Sequence, residues 1–420
     1  MLTDKENVEL ARVEYQNIKK NGAVKINVDG KPTTIGFVVD KIDDATGQQA
    51  YVVADSQLPS NPTNEQLNAI KQTTILYRGS SFNVSLDAAN DWLGNDAPMA
   101  GQIAANMFGN GGKVSNKPTP QLLAAARTLH STMDKYPNAS VFVYGQSLGS
   151  MSGQYAIADL SAEEQKRLIV AYLYEGPNIF PILTKKQQDN AKALNKLNKA
   201  FNFIDTKDVV TMGSYGRGIS GSVGNKVFLD SKRIKNPVDQ HMWGGYQYDK
   251  SGNIIVKTKY VSDYAKQVTQ AEISRIEDLR KKMTKSSGGL SSSEKLFLDA
   301  MEARSVVKGM QLIVDTELGN LKKKYSNAIT AAENLWRDTK QQAAIIGQHI
   351  SSSEQLSALS RGGATEHNIK TQQVNDYQDS ITEIKGISDD YGTLVGQITA
   401  AIESQVSTDA ELAHEIEGLL

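Results

Sequence analysis

The pentapeptide Gly145-Gln146-Ser147-Leu148-Gly149 is the segment of this chain whose residue types and spacing could do chemistry. A serine hydroxyl is a poor nucleophile unless it is held out from the backbone beside a base. A tight strand-to-helix turn does this, but it strains the backbone at the serine. Glycine two positions before and two after removes the Cβ atoms that would collide in such a bend. The N–H of Leu148 would then face the oxygen of a carbonyl under attack. The start of the following helix would favour the negative charge that develops there. The flanks suit this reading. Val141-Phe142-Val143-Tyr144 is a strong strand pattern, and the small residues Ser150, Ser152, Gly153 and Ala156 follow, as a helix packed closely on a sheet requires.

A serine nucleophile needs a base, and the base needs an acid to orient it, in the chain order Ser, Asp/Glu, His for a strand–turn–helix hydrolase. The histidines are His130, His241, His349, His367 and His414. Only His241 both follows Ser147 and lies in the strand-bearing half. Its surroundings, Asp239-Gln240-His241-Met242-Trp243-Gly244-Gly245, read as a loop. His130 precedes the serine and reads as a local capping or packing residue. Asp159, Glu163, Glu164, Glu175, Asp189, Asp205, Asp208, Asp230 and Asp239 all qualify as the acid by order. Asp205 and Asp208 follow a strand pattern at 201–204, at the carboxyl end where functional groups of open parallel sheets gather. Asp208, followed by Val209-Val210, is favoured, with Asp205 next. Its task would be to fix the imidazole tautomer and stabilise imidazolium. A second oxyanion donor is expected from the loop after an earlier strand, and Arg78-Gly79-Ser80-Ser81 after 74–77 offers Ser80 beside Leu148. Arg78 itself reads as a structural ion-pair partner.

The elements that must position these residues are legible as patterns. Residues 24–28, 34–39 and 49–54 read as strands, the first two joined through the hairpin dipeptide Asp29-Gly30. Residues 74–77, 140–144 and 168–174 read as buried parallel strands, and 120–136 as a helix opening at Pro120. Together they predict an α/β domain over 1–261, most simply a parallel sheet with crossover helices. Beyond 262 the strands stop. Helical patterns cover 262–284, 293–349 and a stretch from about 365. The last carries Tyr377, Ile384, Tyr391 and Ile398 at seven-residue spacing, with Ile381, Val395 and Ile402 four further on and Ser388 interrupting that second row. This predicts an all-α, elongated helical domain over 262–420. It is either an antiparallel bundle sufficient to itself or one that offers part of its seam to another chain.

Composition narrows the function. With Lys+Arg 46 against Asp+Glu 47 the net charge is −1, which disfavours a nucleic-acid binder. The absence of cysteine excludes disulfides, thiolate metal sites and cysteine nucleophiles. No apolar run is long enough to span a membrane as a helix. The opening Met1-Leu2-Thr3-Asp4-Lys5-Glu6 has no apolar core of an ordinary secretory signal peptide.

Over roughly residues 65–250 the chain resembles the class 3 lipases of the α/β-hydrolase fold. Tyr77-Arg78-Gly79-Ser80 matches that family's aromatic-Arg-Gly-Ser/Thr segment. Gly145-Gln146-Ser147-Leu148-Gly149 matches its Gly-His-Ser-Leu-Gly elbow, with Gln146 in place of the histidine. Asp208-Val209-Val210 matches its acid and hydrophobic pair, without the usual proline. The resemblance implies a serine ester hydrolase of the lipase or phospholipase A type. Ser147, Asp208 and His241 would be its triad and Ser80 and Leu148 its oxyanion donors, with neither metal nor organic cofactor. It also implies a lid near residues 91–120. The whole arrangement resembles the reverse-order lipase toxins of Gram-positive type VII secretion, whose C-terminal helices form an LXG-like domain. That implies secretion without a signal peptide, a lipid or phospholipid substrate, small helical chaperone or targeting partners, and an immunity protein. The alternative is a catalytically inactive α/β scaffold whose helical domain is a protein-interaction module.

Overall fold

The computed structural model describes residues 2–28, 30–79, 118–208, 210–211, 215 and 221–417. The chain divides into two compact units, Met1–Tyr260 and Val261–Leu420.

The first unit is built on one eight-stranded sheet, with β1 Ala23–Val28, β2 Lys31–Asp43, β3 Gln49–Ala54, β4 Gln72–Tyr77, β5 Ser140–Gln146, β6 Leu168–Tyr174, β7 Ala200–Ile204 and β8 Asn225–Phe228. The strands lie in the sheet in their chain order. β1 to β4 pair antiparallel, whereas β4 to β8 pair parallel. The antiparallel pairing of β1 with β2 is the hairpin expected at Asp29-Gly30, while the antiparallel pairing of β2 to β4 corrects the expectation of an otherwise parallel sheet. The links after β1 and β2 are too short for a crossover helix and permit only hairpin returns, whereas the longer link from β3 to β4 carries α2 and still returns antiparallel.

The helices of this unit are α1 Asp4–Arg12, α2 Asn64–Ala69, α3 Pro120–Lys135, α4 Leu148–Asp159, α5 Ala162–Arg167 and α6 Lys185–Lys196. Thr119 caps α3 and Pro120 begins it, where a missing N–H costs nothing. Leu122, Ala125, Ala126, Leu129 and Met133 of α3 pack with Met151, Tyr155, Ala156 and Ile157 of α4 and with Val141, Val143 and Leu173 of the sheet. Side chains alternate along a strand, so the residues between them face the other way. There Tyr172 stacks on Phe201 and Phe203, and Tyr174 on Phe203 at 4.8 Å between ring centroids. α1 reaches this aromatic layer, where Asn7 Oδ1 accepts a bond of 2.7 Å from the Tyr144 hydroxyl. Each buried ring contributes about 1.5–3 kcal/mol, so both layers hold the carboxyl ends of β5 to β7 firmly.

The second unit holds α7 Val261–Ser287, α8 Ser292–Ile346, α9 Ser352–Arg361 and α10 Gln372–Glu417. α8 has 55 residues, roughly 80 Å at 1.5 Å per residue. Ser291 with Glu294 and Ser351 with Glu354 form capping boxes at the starts of α8 and α9. α9 lies inside a stretch for which no separate helix was expected. α8 and α10 run antiparallel, since Tyr325 meets Tyr377 and Arg304 meets Glu403. The heptad seam holds at Tyr377, Ile381, Ile384, Tyr391, Val395 and Ile402, with Ser388 also turned inward. Ile398 is corrected: it is 39% exposed, and Thr399 takes the inward place. An α-helix of 3.6 residues per turn drifts by about 20° per heptad, and here the drift has carried the row past the seam.

Candidate active site

Ser147 stands between β5 and α4 with φ 57° and ψ −123°. A non-glycine residue in such a conformation costs on the order of 1–3 kcal/mol and persists only where its surroundings enforce it. The surroundings are the two flanking glycines. A Cβ on Gly145 would strike the Gly149 carbonyl oxygen, and one on Gly149 would strike the Tyr77 carbonyl oxygen at the end of β4. The bend is closed from the other side by the Ser147 N–H, which donates to Tyr174 O of β6 at 2.9 Å. Although Ser147 occupies the cap position of α4, its hydroxyl makes no capping bond. Its Oγ is buried and has no hydrogen-bond partner among the described residues. Leu148 is the first residue of α4, where a helix leaves its N–H groups without intrahelical acceptors. Ser80, the other expected oxyanion donor, lies outside the described residues, as does the lid expected near 91–120 apart from its last residues.

His241 is not in a loop. It sits in a wide, π-type helical turn, Gln240–Gly244, that follows the short helix Pro237–Asp239 and loses helical backbone at Met242. Trp243, at φ 63°, breaks that turn, and its indole is buried. The glycines and polar residues around His241 suggested a loop. Asp208 Oδ2 lies 2.7 Å from His241 Nδ1, with both side chains almost wholly buried. Asp208 is itself oriented by the Val210 N–H, which donates to its Oδ1 at 3.0 Å.

Asp205, the other aspartate after β7, has a separate role. Its Oδ1 accepts from Ser231 Oγ at 2.6 Å and its Oδ2 from Gln240 Nε2 at 2.5 Å. It thereby ties down the residue that precedes His241. Glu175, at the end of β6, accepts from the Asp205 N–H at 3.0 Å and from the Tyr246 hydroxyl at 2.5 Å. Burial, and then the charge of Asp208, push the Glu175 carboxyl well above the usual carboxylate range. Chain order had admitted Glu175 as an acid. That it would brace the aspartates rather than serve as one of them had no signal in the sequence.

The elbow and the histidine are joined through Gln146, which precedes the serine. Its Nε2 donates to the His241 carbonyl at 2.9 Å, and its Oε1 accepts from the Tyr15 hydroxyl. The structure thus joins His241 directly to Asp208 and, through Gln146, its backbone to the elbow that bears Ser147. Among the described residues Arg78 makes no ion pair of the kind expected from the sequence. Its guanidinium lies 5.7 Å from the Tyr15 ring centroid, beside the buried Glu14. Burial pushes the Glu14 carboxyl well above its ordinary value of 4.5. A small, half-open cleft of about 60 Å³ lies next to Glu14, Arg78 and Tyr51. His130 pairs with Glu164 and Asp159 and takes no part in the site.

Among the described residues no group of three or more His, Asp or Glu side chains could hold a metal ion. No helix among them is long and apolar enough to cross a membrane. Compared with models of known families and with curated proteins, the chain matches none.

Proposed function

We propose that the first unit is a serine ester hydrolase with the α/β-hydrolase fold, of the lipase or phospholipase A type. The observation that carries the reading is the buried His241–Asp208 pair, 2.7 Å apart, whose histidine is bonded through Gln146 to the strained elbow that presents Ser147. In the reaction, Ser147 Oγ attacks the carbonyl carbon of an acyl ester while His241 takes the hydroxyl proton. The tetrahedral oxygen is held by N–H groups that include that of Leu148. His241 then gives the proton to the departing alcohol oxygen, the C–O bond breaks, and the acyl group stays on Ser147. Water repeats the sequence and releases the fatty acid. Asp208 keeps the proton of neutral His241 on Nδ1, leaving Nε2 to act as base.

The test is labelling with a fluorophosphonate probe together with turnover of a fluorogenic acyl ester. The native protein is expected to label and turn over. Ser147→Ala should do neither while keeping its circular dichroism, and Asp208→Asn should lose about 10⁴-fold in kcat. An unlabelled native protein would overturn the reading in favour of an inert scaffold.

The type VII secretion reading extends this proposal to the second unit. Its support is architectural: a long helical hairpin that keeps Leu335, Ile345, Ile346, Ile387 and Leu394 exposed, as a surface for small helical partners would. In that reading the substrate is a membrane lipid, and an immunity protein protects the producer. Co-purification of such partners on the second unit, and fatty acid release from phospholipid vesicles, are the measurements that bear on it.

A further inference from the structure

Tyr15 belongs to a single helical turn, Val13–Tyr15, that continues from α1. It lies 131 residues before Gln146 in the chain, yet its hydroxyl donates to Gln146 Oε1. The same hydroxyl abuts Gly79, where a Cβ would collide with it. Gly79 opens the segment expected to supply the second oxyanion donor. One oxygen atom therefore touches both that segment and the elbow, and through Gln146 it reaches the histidine. The turn that bears the histidine is held at consecutive positions. Gln146 Nε2 donates to the His241 carbonyl, Arg12 Nη2 donates to the Met242 carbonyl at 3.3 Å, and the Trp243 ring meets Tyr15 and Tyr174 edge-on. Arg12 also lies over the Trp243 ring, 5.3 Å from its centroid.

A primary amide offers an acceptor at one end and two donors at the other, so its orientation decides what it does. With Oε1 turned to a hydroxyl, Nε2 faces the His241 carbonyl and bonds it. Flipped by half a turn, the amide would set Oε1 against that carbonyl and repel it. Burial, and then the charge of Glu14, push the Tyr15 phenol well above its usual range, so it remains a donor at any working pH.

We propose that Tyr15 and Gln146 are positioning residues. The Tyr15 hydroxyl fixes the sense of the Gln146 amide, and the amide fixes the backbone from which His241 reaches Asp208. This deepens the ester-hydrolase reading and rests on it for its catalytic consequence. Displacing a reacting group by a fraction of an ångström leaves substrate binding alone but slows the chemical step.

Tyr15→Phe, Gln146→Met and the double variant test this by two readouts. The first is the NMR signal of the His241 Nδ1–H, assigned by its loss in His241→Asn and read without substrate. Its exchange with solvent should quicken by roughly tenfold or more in each variant as the Asp208 bond loosens. The second is turnover of a soluble short-chain ester, where kcat should fall by roughly ten- to a hundredfold with KM nearly unchanged. The double variant should be no worse than Gln146→Met alone, because the two residues act in series. A Tyr15→Phe protein with native exchange and native kcat would overturn the proposal, as would strict additivity. If Gln146→Met does not fold, Tyr15→Phe, which deletes one oxygen atom, decides alone. If the native protein neither labels nor hydrolyses esters, the functional reading fails, and the exchange measurement still settles whether the relay orders His241.

Discussion

His130 and His241 both sit against carboxylates, and burial separates what the two pairs do. His130 lies partly open on α3, with Glu164 Oε1 at 2.5 Å and Asp159 Oδ2 at 3.3 Å. Burial works against its charge, but the bonds to Glu164 and Asp159 outweigh it and hold the imidazole above its ordinary value of 6.5. A raised value in the folded state gives stability that is complete below 6.5 and is lost as pH rises through the folded value. His130→Gln should therefore melt below the native protein by about 2–4 °C between roughly pH 5 and 6.5, for a pair worth up to about 1 kcal/mol. The two curves should converge in alkali. A gap in Tm that does not change with pH would refute this. At the same scale, the contact of Asp208 with His241 was legible because chain order and strand ends restrict the candidates. Tyr15 and Gln146 were not, because their contact spans half the unit and an amide beside a serine carries no pattern of its own. Nor was the division of labour between Asp205 and Asp208, which depends on where Ser231 and Gln240 arrive.

The elbow is an element whose geometry is set by what it excludes. Gly149 lies so close to the end of β4 that any side chain there must push β4 and α4 apart. Gly149→Ala should cost about 1–3 kcal/mol by overpacking and should also slow labelling of Ser147, since the serine rides on the same bend. A variant of native Tm and native labelling rate would show that the bend has slack. Elements of this kind were the most readable part of the sequence: β3 and β6 begin and end where the patterns at 49–54 and 168–174 placed them. The sense of β1 against β2 was marked by Asp29-Gly30, but that of β3 and β4 was less readable, because an apolar run gives burial and not the sense of pairing. The helix-bearing turn at His241 was misread for a related reason. Gly244 and Gly245, which let the turn press on the Asp239 and Lys232 carbonyls, look the same in sequence as glycines in an open loop.

At the scale of the molecule, two compact units with separate cores predict two unfolding transitions in calorimetry rather than one. Phosphonylation of Ser147 should raise the midpoint of only one of them, the transition of Met1–Tyr260. A single transition, or an equal shift of both, would show that the units unfold together. The boundary between them was visible as a change of texture in the chain, since strand patterns stop where the long helices begin.

The order of the strands has a consequence for how the molecule comes to be made. Each strand pairs with one already laid down, so the sheet can grow as the polypeptide leaves the ribosome. α1 is the exception. Lys5 N–H donates to Gly252 O at 3.0 Å, and Asp4 Oδ2 accepts from the Ile254 N–H, 250 positions later. This helix, made before any strand of the sheet, must wait for nearly the last residues of the unit before its docking is complete, and with it the bracing of the histidine turn. A half-translated chain would hold Ser147 in an elbow that still lacks its histidine turn, so on the ester-hydrolase proposal the producing cell would meet no activity until the unit was finished.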